Sequence, residues 1–206
     1  MDMQHSKLII FILVLAFSPM SLKAQDEVQT YHIGNIFSLD IPVTMTLRDT
    51  STPEGRATDR RIYSNVARYD RSFPDWRYAF IPTETVPSGM YARILVSVKR
   101  QNSITQKMVK EASKEDVIKL GETTRKEMES AKMEIVKWTP AQKKVIDGKY
   151  SIVINYERKG LNGNVHVESY LFYLSDKQVE VTISYRTSES YYWASDFSRV
   201  PQSFKF

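Results

Sequence analysis

Beyond residue 24 the chain carries two histidines, His32 and His166. His166, Glu168 and Tyr170 alternate along one predicted strand, so their side chains share a face. A carboxylate beside an imidazole could orient it as a general base. The same alternation describes the polar face of an antiparallel strand, and we expect His166 to be solvated or structural. Paired carboxylates are the second chemistry to weigh. Asp70 and Asp75 flank Arg71 and the Pro74–Trp76 segment, and two facing carboxyl groups can hydrolyse a glycosidic bond. In a charged, proline-bearing loop such residues serve as caps and turn formers, and Glu111, Glu115 and Asp116 among lysines read as a solvated helix face. The chain has no cysteine and no H-E-x-x-H, G-x-S-x-G, Walker A or G-x-G-x-x-G string. Neither a histidine or thiolate zinc site nor a nucleophilic triad has support, so no catalytic residue, metal ligand or cofactor is assigned.

Aromatic side chains are the more informative excess, with 12 Tyr and 3 Trp. Phe73, Trp76, Tyr78 and Phe80 lie in a span holding Pro74, Pro82 and Pro87, beside Arg71 and Arg77. Flat rings next to guanidinium groups make a contact patch for a protein or a glycan. Tyr191, Tyr192 and Trp193 cannot all face a core, because consecutive helical residues stand ~100° apart. Trp193 is the expected anchor. The candidate binding residues are therefore Phe73, Trp76, Arg77, Tyr78, Tyr191 and Tyr192, weighed against the alternative that the rings fold back over the sheet.

These residues need a scaffold, and most of it is periodic. Residues 36–41 alternate as a half-buried strand that Pro42 stops, and Val43–Leu47 continues as a second extended piece. Residues 49–60 read as an exposed loop or a short helix start and 61–69 as extended, while the three prolines that follow confine pairing to short or edge pieces. Tyr91–Val98 is a strand. Residues 104–131 read as the helical part, with Val117, Gly121, Thr124, Met128 and Ala131 on one stripe and Ser113 and Asp116 forming a capping box. Asp147-Gly148 is a hairpin signal between strands, a turn follows at 159–164, Val165–Leu174 is a central strand, and Val179, Val181, Ile183 and Tyr185 alternate along the last one. Glu180, Thr182, Ser184 and Arg186 face away from that apolar row. Trp193, Phe197 and Val200 mark a short closing helix, with Glu189 at its positive end. Strands, a long central helix, an antiparallel meander and a closing helix make an α+β single domain.

The N-terminus adds a destination. Lys7 precedes an apolar run, Leu8–Phe17, whose ~15 Å helical length falls short of the ~30 Å hydrocarbon core. With Ser18-Pro19 behind it, this is the pattern of a secretory signal peptide over residues 1–24, followed by a polar leader at 25–32 and the domain at 33–206. Without residues 1–24, 27 basic and 23 acidic residues leave a mild +4. That charge, with no dense Lys/Arg block, argues against nucleic acid. No second run is long enough to span a membrane. No Asn-x-Ser/Thr sequon occurs, so a Gram-negative periplasm or the space outside it fits better than a glycosylated eukaryotic setting.

Three pieces carry a family likeness: FSLDIP at 37–42, IDGKYSIVINYE at 146–157, and the run from VEVTISYRTSES at 179–190 to WASDFSRVPQSF at 193–204. With this order of elements the chain resembles the PsbP-like superfamily, which includes the yeast Ran-binding nucleotide-release factor and DcrB-type envelope proteins. It departs in Val43-Thr44-Met45, where the family often places an aromatic after the proline, and in residues 49–90, which have no clear counterpart. The resemblance implies an antiparallel sheet between helical layers (an α/β/α sandwich) and a non-enzymatic binding or assembly role, with no family-wide catalytic residues to transfer. The expectation is an exported binding or accessory module contacting an envelope protein or glycan. Its rivals are a small envelope hydrolase using acidic residues, and a structural domain whose aromatics pair two copies.

Overall fold

The structure, a computed structural model, describes residues 27–48, 76–101 and 103–206. The signal-peptide reading of 1–24, the segments 49–60 and 61–69, and the candidates Asp70, Arg71, Phe73 and Asp75 lie outside the described residues.

Nine strands and three helices are described: β1 Val28–Ile33, β2 Phe37–Pro42, β3 Met45–Leu47, β4 Trp76–Pro82, β5 Ala92–Arg100, α1 Gln106–Glu111, α2 Lys114–Ser130, β6 Ile135–Ile146, β7 Lys149–Gly160, β8 Gly163–Tyr173, β9 Lys177–Arg186 and α3 Ser190–Arg199. β3 to β9 form one sheet in the order β3-β4-β5-β9-β8-β7-β6, antiparallel at every pairing, and β1–β2 form a separate antiparallel pair.

Period-2 alternation gives the sheet two apolar faces. On the first, Ala92, Ile94, Val96 and Val98 of β5 and Val179, Val181 and Ile183 of β9 are buried with Tyr170 and Phe172 of β8. Leu39 and Ile41 of β2 cover them, together with Trp193, Phe197 and Phe204 from α3 and the tail. On the second face, Ile152, Ile154 and Tyr156 of β7 and Val165 and Val167 of β8 pack against Val109 of α1 and Val117 of α2. The result is an antiparallel sheet with helices on both sides, the expected α+β class.

Three local expectations change. Residues 28–32, assigned to a polar leader, are most of β1 and pair with β2 from Val28↔Pro42 to Ile33↔Phe37. Their polarity reflects exposure on an outer strand, where four of the six residues face solvent. The helical part is two helices: Ala112 turns to ψ 132 and Ser113 starts α2 through a complete capping box with Asp116. A cap is a start signal, so the break is where a serine can satisfy the first free N–H groups. Finally, of the short or edge pieces expected around the prolines, β4 is a short one rather than an edge, because the three residues of β3 pair on one side of it and β5 on the other, with Pro82 as its last residue.

Two contacts fix α1 and α2 to the sheet. Gln106 Nε2 donates to Tyr150 O and Tyr173 O at 2.9 and 3.0 Å, and its Oε1 accepts from the Tyr150 N–H at 2.7 Å. Gly121 lies so close to β6 that a Cβ there would sit 2.7 Å from Ala141 Cβ. The glycine that thins the apolar stripe of α2 is thus the point of closest helix–sheet approach. The Asp147-Gly148 turn has φ of 45° and 72°, both in the left-handed region, as a type I′ hairpin requires.

Candidate functional site

Register on the second face brings together residues far apart in sequence. Arg158 of β7 lies opposite Val165 of β8, which lies opposite Arg186 of β9. The Arg186 N–H donates to Tyr91 O at 3.2 Å, extending the row to the start of β5. At ~4.8 Å per strand this row is ~14 Å wide. Beside it runs a second, Tyr156–Val167–Ser184–Arg93, and then a third, Ile154–Ser169–Thr182–Leu95. Directly opposed residues share a face, and the first two rows with Thr182 and Leu95 of the third form one floor, while Ile154 and Ser169 are buried beside it. Helix α2 ends above it, and Ala131–Glu134 and the 160–163 turn supply the walls of a groove of about 900 Å³.

Tyr91 is the hub of one end. The Arg93 guanidinium carbon stands 4.9 Å from the centre of its ring, and Arg158 Nη2 donates to its hydroxyl at 3.5 Å. Glu189 Oε2 accepts the Tyr91 backbone N–H at 2.8 Å. The same carboxylate pairs with Arg186, whose Nη1 also donates to Gly89 O at 3.1 Å. The pair is largely buried, at 17% and 10% side-chain exposure, so Glu189 acts as a local staple as well as lying at the start of α3. On the opposite wall Lys159 pairs with Glu134 at 3.3 Å. The lining carries Arg93, Lys132, Arg158, Lys159 and Arg186 against Glu134, with Glu189 behind it. The local balance is net positive.

Along the floor Ser169 and Thr182 hydroxyls are 2.9 Å apart, and Thr182 Oγ1 donates to Glu180 Oε1 at 3.3 Å. Burial pushes the Glu180 carboxyl above the usual carboxylate range, against the pull of Lys99 and Thr182. Of the residues expected to face away from the β9 core, Thr182, Ser184 and Arg186 line this floor and Glu180 does not. The sequence exposes their alternation; it does not show that Arg158 from β7 and Arg93 from β5 join them.

The sequence-derived candidates lie elsewhere. His166 and Glu168 sit on the first face; the His166 ring packs 5.0 Å from that of Tyr185, and Glu168 pairs with Lys144 at 3.8 Å. Burial, and then Glu168, hold the Tyr170 hydroxyl above its ordinary range. Trp76 and Arg77 open β4, and Tyr78 packs half-buried against the first core. Tyr192 lies edge-on to Trp193 at 4.7 Å while Tyr191 is 77% exposed and Trp193 fully buried, the division that helical geometry demands. Tyr78, Tyr191 and Tyr192 do not line the groove. Among the described residues no three His, Asp or Glu side chains converge as a metal site needs, and no helix is long and apolar enough to cross a membrane.

No protein-family model matches the sequence, and none of the curated proteins does. Among solved structures, the chain is similar to the solution structure of cyanobacterial PsbP (CyanoP) from Synechocystis sp. PCC 6803, with a TM-score of 0.55 and 14% identity over 88% of this chain and 92% of that one. The fold is PsbP-like. The crystal structure of LpqN, involved in cell envelope biogenesis of Mycobacterium tuberculosis, is also similar, with a TM-score of 0.51 and 7% identity over 87% of this chain and 90% of that one. The groove is thus set on the helix-covered side of a PsbP-like sheet, where α2 stops and the floor of β9 and β5 begins.

Proposed function

We propose that the protein is an exported, non-enzymatic binding or accessory module of the bacterial envelope that holds a protein or glycan partner. The observation that carries this reading is the groove: a concave, net-positive surface built from four neighbouring strands, with the buried Arg186–Glu189 pair at one end. The signal-like N-terminus and the envelope role named for LpqN support the address. A glycan hydrolase would need two carboxyl groups facing one cavity, ~5–10 Å apart. In the described lining of the groove the carboxylate is Glu134, and it is paired with Lys159. The aromatic set Phe73, Trp76, Arg77, Tyr78, Tyr191 and Tyr192 is a second contact surface in this proposal, with Tyr191 its exposed member.

In-cell crosslinking followed by affinity capture tests the module reading. We expect a discrete envelope component at native expression, lost from a variant with Arg93 and Arg158 both changed to Gln. Recovery of nothing above background overturns it.

A further inference from the structure

The groove also constrains what it holds. Its cations are mainly arginines, whose planar forks match carboxylate and phosphate oxygens. Between them the half-buried Leu95 and Thr182 face the groove, and beneath lie the buried Tyr156, Val165, Val167 and Ser184. A ligand matching this pattern has flat C–H faces, many hydroxyls and negative charge. The volume, about 900 Å³, is near the top of the ~300–1,000 Å³ range of small-ligand sites and the groove lies open to solvent, which suits a short chain of rings. Strand addition, one of the ways a peptide is held, needs a free sheet edge. Here β9 and β5 are each paired on both sides, so the floor offers no free backbone edge.

We infer that the groove binds an acidic saccharide, a short chain of carboxylate-bearing sugar rings. One carboxylate meets Arg93 and Arg158 beside Tyr91, and the rings lie along Leu95 and Thr182 toward Lys132 at the end of α2. This rests on the binding-module reading and specifies its ligand.

The test is an NMR titration of the protein with a galacturonic acid tetramer, run beside its methyl-esterified neutral counterpart, a glutamate tetramer and inorganic phosphate. Amide signals of Arg93, Arg158, Thr182, Ser184 and Arg186 should move with the uronic tetramer. Arg158→Gln should weaken the interaction at least tenfold. Lys132→Gln, which keeps the backbone at this exposed rim position and removes only the charge, should weaken it severalfold with unchanged thermal unfolding. Unmoved groove signals, equal affinity for the neutral ester or the peptide, or phosphate binding as tightly as the tetramer would each overturn the saccharide assignment. If the tetramer fails while in-cell crosslinking still captures a partner, the ligand class falls and the module reading stands. If both fail, both fall.

Discussion

On one face of the sheet Trp193, Phe197 and Phe204 close over a continuous aliphatic layer; on the other, α1 and α2 cover the β6–β8 half, and the β9–β5 half presents Arg93, Thr182, Ser184 and Arg186 to the groove. Strand β9 serves both. Val179, Val181 and Ile183 point into the closed side, and Thr182, Ser184 and Arg186 form the floor of the other. The closed face supplies stability, so the open face can keep polar groups that an apolar core would exclude. Separating the two burdens on alternate residues of one strand is what lets a small, cysteine-free chain carry a wet surface.

That division is broken most severely at Trp193. Trp193→Ala removes the largest fully buried side chain and should cost about 3–5 kcal/mol in urea unfolding. A loss under about 1 kcal/mol would mean that the first face is not the main source of stability. On the second face, Gly121→Ala should destabilise by about 1–3 kcal/mol despite alanine's higher helix propensity, because the new methyl meets the rigid Ala141 Cβ. Adding Ala141→Gly should recover most of the loss. Gln106→Ala strands Tyr150 and Tyr173 backbone groups and should cost about 1–2 kcal/mol, loosening α1 while leaving the Trp193 side unchanged by hydrogen exchange.

Alkali should act on both faces in the same sense. Burial raises Tyr170, and it pushes Tyr173 up to about 12, from the ordinary phenol value of 10.0. Below pH 10 these groups are neutral in both folded and unfolded chains, and their contribution to stability is complete. As pH rises through 10 toward 12, the unfolded chain releases phenolic protons that the folded chain keeps, so stability falls. Tyr173→Phe should flatten that slope in pH-dependent denaturation. The smallest effect belongs to Tyr191→Ser, which should stay within about 0.5 kcal/mol because the side chain is 77% exposed. Dynamic light scattering of that variant across a concentration series also tests self-association through the aromatic surface.

Where a residue's neighbours are its own neighbours in sequence, the fold was legible. The β2 and β5 alternations, the Asp147-Gly148 turn, the Ser113 cap and the Trp193–Phe197 stripe all appear as read. β1 escaped because an exposed strand needs no apolar alternation, and the α1–α2 break because the cap was read as part of one helix rather than as a boundary. The groove escaped for a different reason. Arg93, Arg158 and Arg186 are each ordinary polar positions on separate strands, and only the register of β7, β8, β9 and β5 places them around Tyr91. Short turns set the β7–β8 and β8–β9 registers, but nothing local in the chain encodes the pairing of β9 with β5.

The position of β9 also sets a sequence of events in time. Last of the described strands along the chain, it stands fourth of the seven described in the sheet, between β5 and β8. When a growing chain has completed β5, the partner of its open edge, Lys177 to Arg186, has not yet been made. Until it arrives, β3–β5 and β6–β8 remain two unjoined fragments, each with bare ladder groups at an edge. Closing the sheet therefore waits for a contact of long sequence separation, which makes assembly slow and leaves the nascent chain open to other edges in the meantime. The sheet is closed at its centre, and only then can α3 and the tail cover its first face.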